Sequence, residues 1–215
     1  LSWTLHLLSL SPNVQDKLAQ EVQRVIKDEG VNESDGAAGL RKRVLAKMPY
    51  LDAVIKESMR LYPVAPFVVR RLPFAVTVGD KGQQQPQVTI PGNTVACIWI
   101  YSLHRHPDFW SQPDEFLPER WLATDNKTMD AGISNGAYMP FAAGPRNCVG
   151  QPLAHVILRT LLAKMVANFE FQDPRLQTHY DKEKVRALRK DMQAGFTVLP
   201  KDGVQLRVLE RRQLG

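Results

Sequence analysis

Residues 141–150 read Phe141-Ala142-Ala143-Gly144-Pro145-Arg146-Asn147-Cys148-Val149-Gly150. This decapeptide restricts the chain more than any other stretch, because five of its positions have separate physical jobs around one sulfur. Cys148 is a soft donor atom set in a Gly/Pro-rich loop just ahead of a helical pattern. Phe141 supplies an apolar cover. Gly144 permits a turn that a side chain would block. Arg146 is a fixed cation two residues before the sulfur. Gly150 leaves out a side chain where a helix must begin close to something flat. At average residue usage, a window like this arises by chance roughly once in several million.

The chain around it is globular in composition. It has 215 residues, 44% of them apolar, enough for one full core. No apolar run reaches the length of a membrane span, and no signal-peptide pattern precedes the first helix. The first residue is Leu1, and we expect an N-terminally truncated chain. The net charge of +6 fits a solvated surface or a basic docking face for an acidic partner. Lys and Arg are not interleaved with aromatics, which argues against nucleic acid. The two cysteines, Cys97 and Cys148, form no CxxC pair and have no His at zinc-finger spacing. Cys97 lies in an apolar run and reads as a small buried hydrophobe.

Periodicity predicts the end of a helix at 3–11. An amphipathic helix follows from Pro12, with Val14, Leu18, Val22, Val25 and Ile26 inward. A third helix starts near Pro49 and is ended by Pro63, with Leu51, Val54, Ile55 and Ser58 buried. A long helix is predicted over about 149–168. Residues 28–39 read as a surface loop. Strands are predicted at 67–69, 74–78, 88–90 and 94–98, with a polar hairpin tip at 83–87. Segments 196–199 and 204–209 flank Pro200-Lys201-Asp202-Gly203 and read as a β-hairpin. Residues 107–140 have little periodicity, and so long a stretch is expected to be functional or well tied down.

Glu57 and Arg60 stand three apart on the third helix, hence on one face. Alone they could be a surface ion pair of small energetic worth. Pro118-Glu119-Arg120-Trp121 could instead bring Arg120 onto Glu57. That would clamp the aperiodic loop to the helix through a carboxylate between two guanidiniums.

In order and spacing, Glu57-x-x-Arg60, Pro118-Glu119-Arg120-Trp121 and Phe141-x-x-Gly144-x-Arg146-x-Cys148-x-Gly150 resemble the cytochrome P-450 superfamily. The resemblance runs over nearly the whole chain. It implies a mainly α fold with a small β region, of which residues 1–215 would be the C-terminal portion of a single domain. It implies heme b as cofactor, with Cys148 as the proximal iron ligand. Arg146 then faces one propionate, and Arg70 matches a second propionate position, with Arg71 as a substitute. Phe141 shields the sulfur, while Gly144, Gly150 and Ala154 are small where loop and helix pass under the porphyrin. Glu57, Arg60 and Arg120 form a structural clamp. Ala65, Pro66, Phe67 and Val68 should line the substrate side, and Gly195 and Phe196 a second wall. Both walls are apolar, so a lipophilic substrate is expected.

The implied activity is insertion of one oxygen atom from O2 into an organic substrate. Electrons would come from a reductase or from a ferredoxin or cytochrome b5-type partner. The resemblance alone suggests the endoplasmic reticulum membrane. The oxygen-activating acid/alcohol pair is expected upstream of Leu1, since Thr4 lies too late in its helix. A heme-thiolate isomerase or dehydratase that works without O2, and a non-catalytic fragment, stay open at this point.

Overall fold

A computed structural model describes residues 1–32, 39–79, 87–123, 130–176, 187, 192–194, 197–201 and 203–211. Among the described residues helices dominate, and four antiparallel two-stranded sheets make up the β region. The helices are α1 (Ser2–Ser9), α2 (Pro12–Asp28), α3 (Lys42–Leu45), α4 (Pro49–Leu61), α5 (Ile100–Leu103), α6 (Ala131–Ser134) and α7 (Gln151–Asn168). A 3-10 turn covers Pro118–Trp121. Among the described residues, no helix is long and apolar enough to cross a membrane.

The core forms where α1, α2, α4 and α7 meet. Leu7, Leu8, Leu18, Val22, Leu51, Val54, Leu162 and Val166 are fully enclosed there. Each such side chain contributes about 1.5–3 kcal/mol of burial. Val14 and Ile26, expected inward, are only partly covered at the edge of this core. Proline opens both α2 and α4, where a missing N–H costs nothing. The Glu21 carboxylate of α2 accepts the amides of Tyr50 and Leu51, at 2.9 Å each, and so caps α4 from outside. Trp3 stacks on Tyr62 with ring centroids 3.8 Å apart. The Trp3 indole donates to the Val198 carbonyl at 3.0 Å, and the Thr4 hydroxyl lies 2.9 Å from that of Ser58. α4 is thereby held along its length, which fixes the residues it presents to the loop beyond.

Strands β1 (Val68–Arg71) and β4 (Val95–Ile98) pair with Val68 opposite Ile98 and Arg70 opposite Ala96. β2 (Val76–Val78) and β3 (Val88–Ile90) form the predicted hairpin. Most of its tip, 83–86, lies outside the described residues. Two expectations need correction. Cys97 is exposed rather than buried, because β4 belongs to a two-stranded ribbon with little packed on it. The C-terminal hairpin does not form as expected either. β7 (Val198–Pro200) pairs with β6 (Met192–Ala194), and β8 (Arg207–Glu210) pairs with β5 (Phe169–Gln172) at the end of α7. The chain still turns at Gly203, at φ +74°, but the strands on either side have other partners.

Candidate heme-thiolate site

Glu57 is completely buried on α4 and is surrounded by donors. Its Oε1 accepts from Arg60 Nη2 (2.9 Å), Arg120 Nε (3.1 Å) and the Leu117 amide (3.0 Å). Its Oε2 accepts from Arg60 Nε and from the Trp121 indole, both at 2.9 Å. Arg60, equally buried, gives its remaining N–H groups to backbone carbonyls: Nη1 to His104 (2.8 Å) and Pro113 (2.7 Å), Nη2 to Glu115 (3.0 Å). All five donors of the guanidinium are used. Arg120 extends the cluster to Ser111 and Asp130.

The aperiodic loop therefore takes backbone partners from two side chains of one helix, which answers the need of a loop without its own ladder. Trp110 lies under the Arg60 guanidinium, 5.2 Å from it. Gly132 lets α6 close on that ring, since a Cβ there would sit 2.5 Å from Trp110 Cε2. The sequence pointed to Glu57, Arg60 and Arg120. It did not single out the Trp121 indole, the Leu117 amide, Asp130 or His104. Only Trp121, adjacent to Arg120 in the quoted motif, offered a signal.

The 141–150 loop follows. Ala142 and Gly144 both have positive φ, +60° and +80°, so the chain reverses sharply before Cys148. The Cys148 amide donates to the Phe141 carbonyl at 2.9 Å, and the Asn147 amide to that of Gly144 at 3.1 Å. The Cys148 side chain is exposed. Gly150 is the N-cap of α7, and a Cβ on it would stand 3.7 Å from Cys148 Sγ. The glycine thus keeps the volume beside the sulfur open. The Ala154 amide closes the first turn onto the Gly150 carbonyl at 2.9 Å. Phe141 is half-buried, its ring 5.2 Å from that of His155. Arg146 is exposed. Val149, in the turn just before the helix, is 97% exposed, and Leu153, Val156, Ile157 and Leu161 share one outward face of α7 at i, i+3 and i+4 spacing. Arg159 on the same helix pairs with Asp52 of α4 at 2.6 Å, joining the two helices.

An exposed soft donor, a bare glycine beside it and an apolar helix face running away from it suit a flat apolar group carrying a thiolate-preferring metal, so the residues fit a heme. A family model described as Cytochrome P450 matches residues 1–196. The chain belongs to the cytochrome P450 family.

Probable cytochrome P450 4d21 of Drosophila melanogaster is 35% identical over 170 residues, covering 79% of this P450 chain and 30% of its own length. Cytochrome P450 3A18 of Rattus norvegicus is 35% identical over 172 residues, 80% of this chain and 31% of its own. Cytochrome P450 4d8 of Drosophila melanogaster is 37% identical over 172 residues, 79% and 34%. The P450 chain spans about a third of the length of the curated relatives it matches.

The remaining described residues among those predicted lie at and before β1. Arg70 is exposed on β1, its Nη1 bonded to the Val69 carbonyl at 2.8 Å. Pro66 is buried, and Ala65, Phe67 and Val68 are half-buried. The Val64 carbonyl accepts from the Val198 amide at 3.0 Å, and that of Pro66 from Tyr101 at 2.9 Å. The 64–68 segment therefore runs beside β7. Gly195 and Phe196 lie outside the described residues.

Proposed function

We propose that this chain is the C-terminal, heme-binding portion of a monooxygenase domain whose heme b iron is held by Cys148. The observation that carries the reading is the Cys148 loop itself: an exposed sulfur with its amide fixed, a glycine beside it and an apolar helix face beyond. When bound, the heme supplies activation of O2 and transfer of one oxygen atom to a lipophilic organic substrate. The protein's part is to hold and screen. The hydrogen bond from the Cys148 amide to the Phe141 carbonyl fixes the approach of the sulfur. α7 begins just after the sulfur, with Gly150 as its N-cap. Once heme is bound, Phe141 would screen the sulfur from water, and Arg146 and Arg70 offer cations to the propionates. Ala65, Pro66, Phe67 and Val68 form an apolar wall for substrate, with Gly195 and Phe196 on a second segment. Electrons come from a reductase or a small redox protein. The family resemblance favours attachment to the endoplasmic reticulum membrane.

The test is spectroscopic. In the full-length protein, Cys148→Ala removes the ferrous–CO band typical of thiolate ligation, and Cys97→Ala leaves it. A band that survives Cys148→Ala overturns the assignment.

A further inference from the structure

His104 is completely buried at the end of α5, and no role in heme or substrate contact requires it. Both of its ring nitrogens are engaged. Nδ1 lies 3.1 Å from the Arg60 carbonyl, and Nε2 lies 2.9 Å from the Met139 amide. A carbonyl can only accept and an amide N–H can only donate. The two partners together demand one species: neutral imidazole with its proton on Nδ1. Burial, reinforced by the positive charges of Arg60 and Arg105, pushes the ring down to about 4, although the bonds to the Arg60 and Met59 backbones oppose this. Tyr138 stacks on the ring at 5.4 Å, and its hydroxyl donates to the Lys56 carbonyl of α4 at 3.2 Å.

The partners lie at the two ends of the candidate site. Arg60 is the centre of the clamp. Met139 is two residues before Phe141, and its carbonyl accepts the Ala142 amide at 3.0 Å. The Phe141 carbonyl in turn accepts the Cys148 amide at 2.9 Å. We propose that His104 is a positioning residue for the Cys148 loop, coupling the backbone of the α4 clamp through one imidazole to the turn that aims the sulfur. The proposal rests on Cys148 being the working ligand.

Two substitutions separate the halves of the imidazole. The amide of His104→Asn can occupy the Nδ1 position and keep the Arg60 tie, but it cannot reach Met139. The carbonyl of His104→Gln can occupy the Nε2 position and accept from Met139. In the full-length protein, amide hydrogen exchange at Met139 and Cys148 is read for both, with and without heme. The expected result is exchange accelerated tenfold or more in His104→Asn, with the ferrous–CO band displaced from its thiolate position. In His104→Gln exchange stays within about twofold of wild type. Equal behaviour of the two variants, or unchanged exchange in His104→Asn, overturns the proposal. If neither variant folds, nitrogen-15 NMR of the wild-type CO complex decides. Protonated Nδ1 and bare Nε2 support the coupling, and the opposite tautomer refutes it. Failure of the heme reading is seen separately, as a thiolate-type band surviving Cys148→Ala.

Discussion

At the residue scale, Glu57 and Arg60 are each costly to bury and each fully compensated. Every oxygen and nitrogen of the two side-chain heads has a partner among α4, the 3-10 turn and the loop carbonyls. Removing one member strands the others without water. Glu57→Ala is therefore expected to cost about 3–5 kcal/mol, read as a lower urea midpoint and poor heme retention in the full-length protein. Arg60→Lys keeps the charge but loses the planar fork, so it cannot serve a carboxylate and three carbonyls at once. It should lower the thermal midpoint nearly as far as Arg60→Ala does. The i,i+3 spacing made the Glu57–Arg60 pair legible, since helix geometry alone puts them on one face. Arg120 was legible only through its motif. Asp130, Leu117 and His104 were not. Their places depend on how an aperiodic loop folds over a distant helix, and no local pattern encodes that.

At the element scale, the loop between α5 and α7 replaces regular structure with side-chain anchors, and burial keeps one of them, His104, a neutral imidazole. Its folded-state value of about 4 lies below the ordinary imidazole value of 6.5. Between these two, the unfolded chain takes up a proton that the folded chain refuses. Stability from this residue is complete above about pH 6.5, falls as pH drops, and levels off below about 4. The whole effect is on the order of 3 kcal/mol. From pH 7 to 4 the thermal midpoint of wild type should therefore fall relative to that of His104→Gln, because the variant lacks this group. The sheets show a different limit of sequence reading. Alternation located the strands β1 to β4 to within a few residues, and turn chemistry located Gly203. Neither specifies a partner. β8 pairs with Phe169–Gln172, a four-residue strand directly after α7 whose own pattern was too short to separate from the helix. Register and pairing are set by which edge the folded core leaves open.

At the scale of the molecule, α7 is divided. Its C-terminal half is sealed in the core by Leu162, Ala163 and Val166, while Leu153, Val156, Ile157 and Leu161 face outward. Phe74 and Trp99 add exposed aromatic surface on the β region. A helix with apolar residues facing both the core and the outside belongs inside a larger body, in keeping with a chain about a third the length of its relatives. Residues 1–215 expressed alone are expected to self-associate, with sedimentation showing species larger than a monomer. Replacing Leu153 and Val156 with Glu should shift the distribution towards monomer. A monodisperse monomer of the unaltered chain would refute this.

The saturated guanidinium of Arg60 has a last consequence, in solution chemistry. Its head group is chemically the guanidinium ion, so a common denaturant is here also a ligand mimic. At concentrations far below those that unfold the protein, guanidinium present during refolding should fill the space left by Arg60→Ala. It would bond to Glu57 and the three loop carbonyls and raise the yield of heme-competent protein. Tetramethylammonium, with equal charge and no N–H, should not. At high concentration the same ion competes for the native carboxylate. Guanidinium should then unfold this protein more steeply, relative to urea, than the roughly twofold ratio of m-values usual for globular domains.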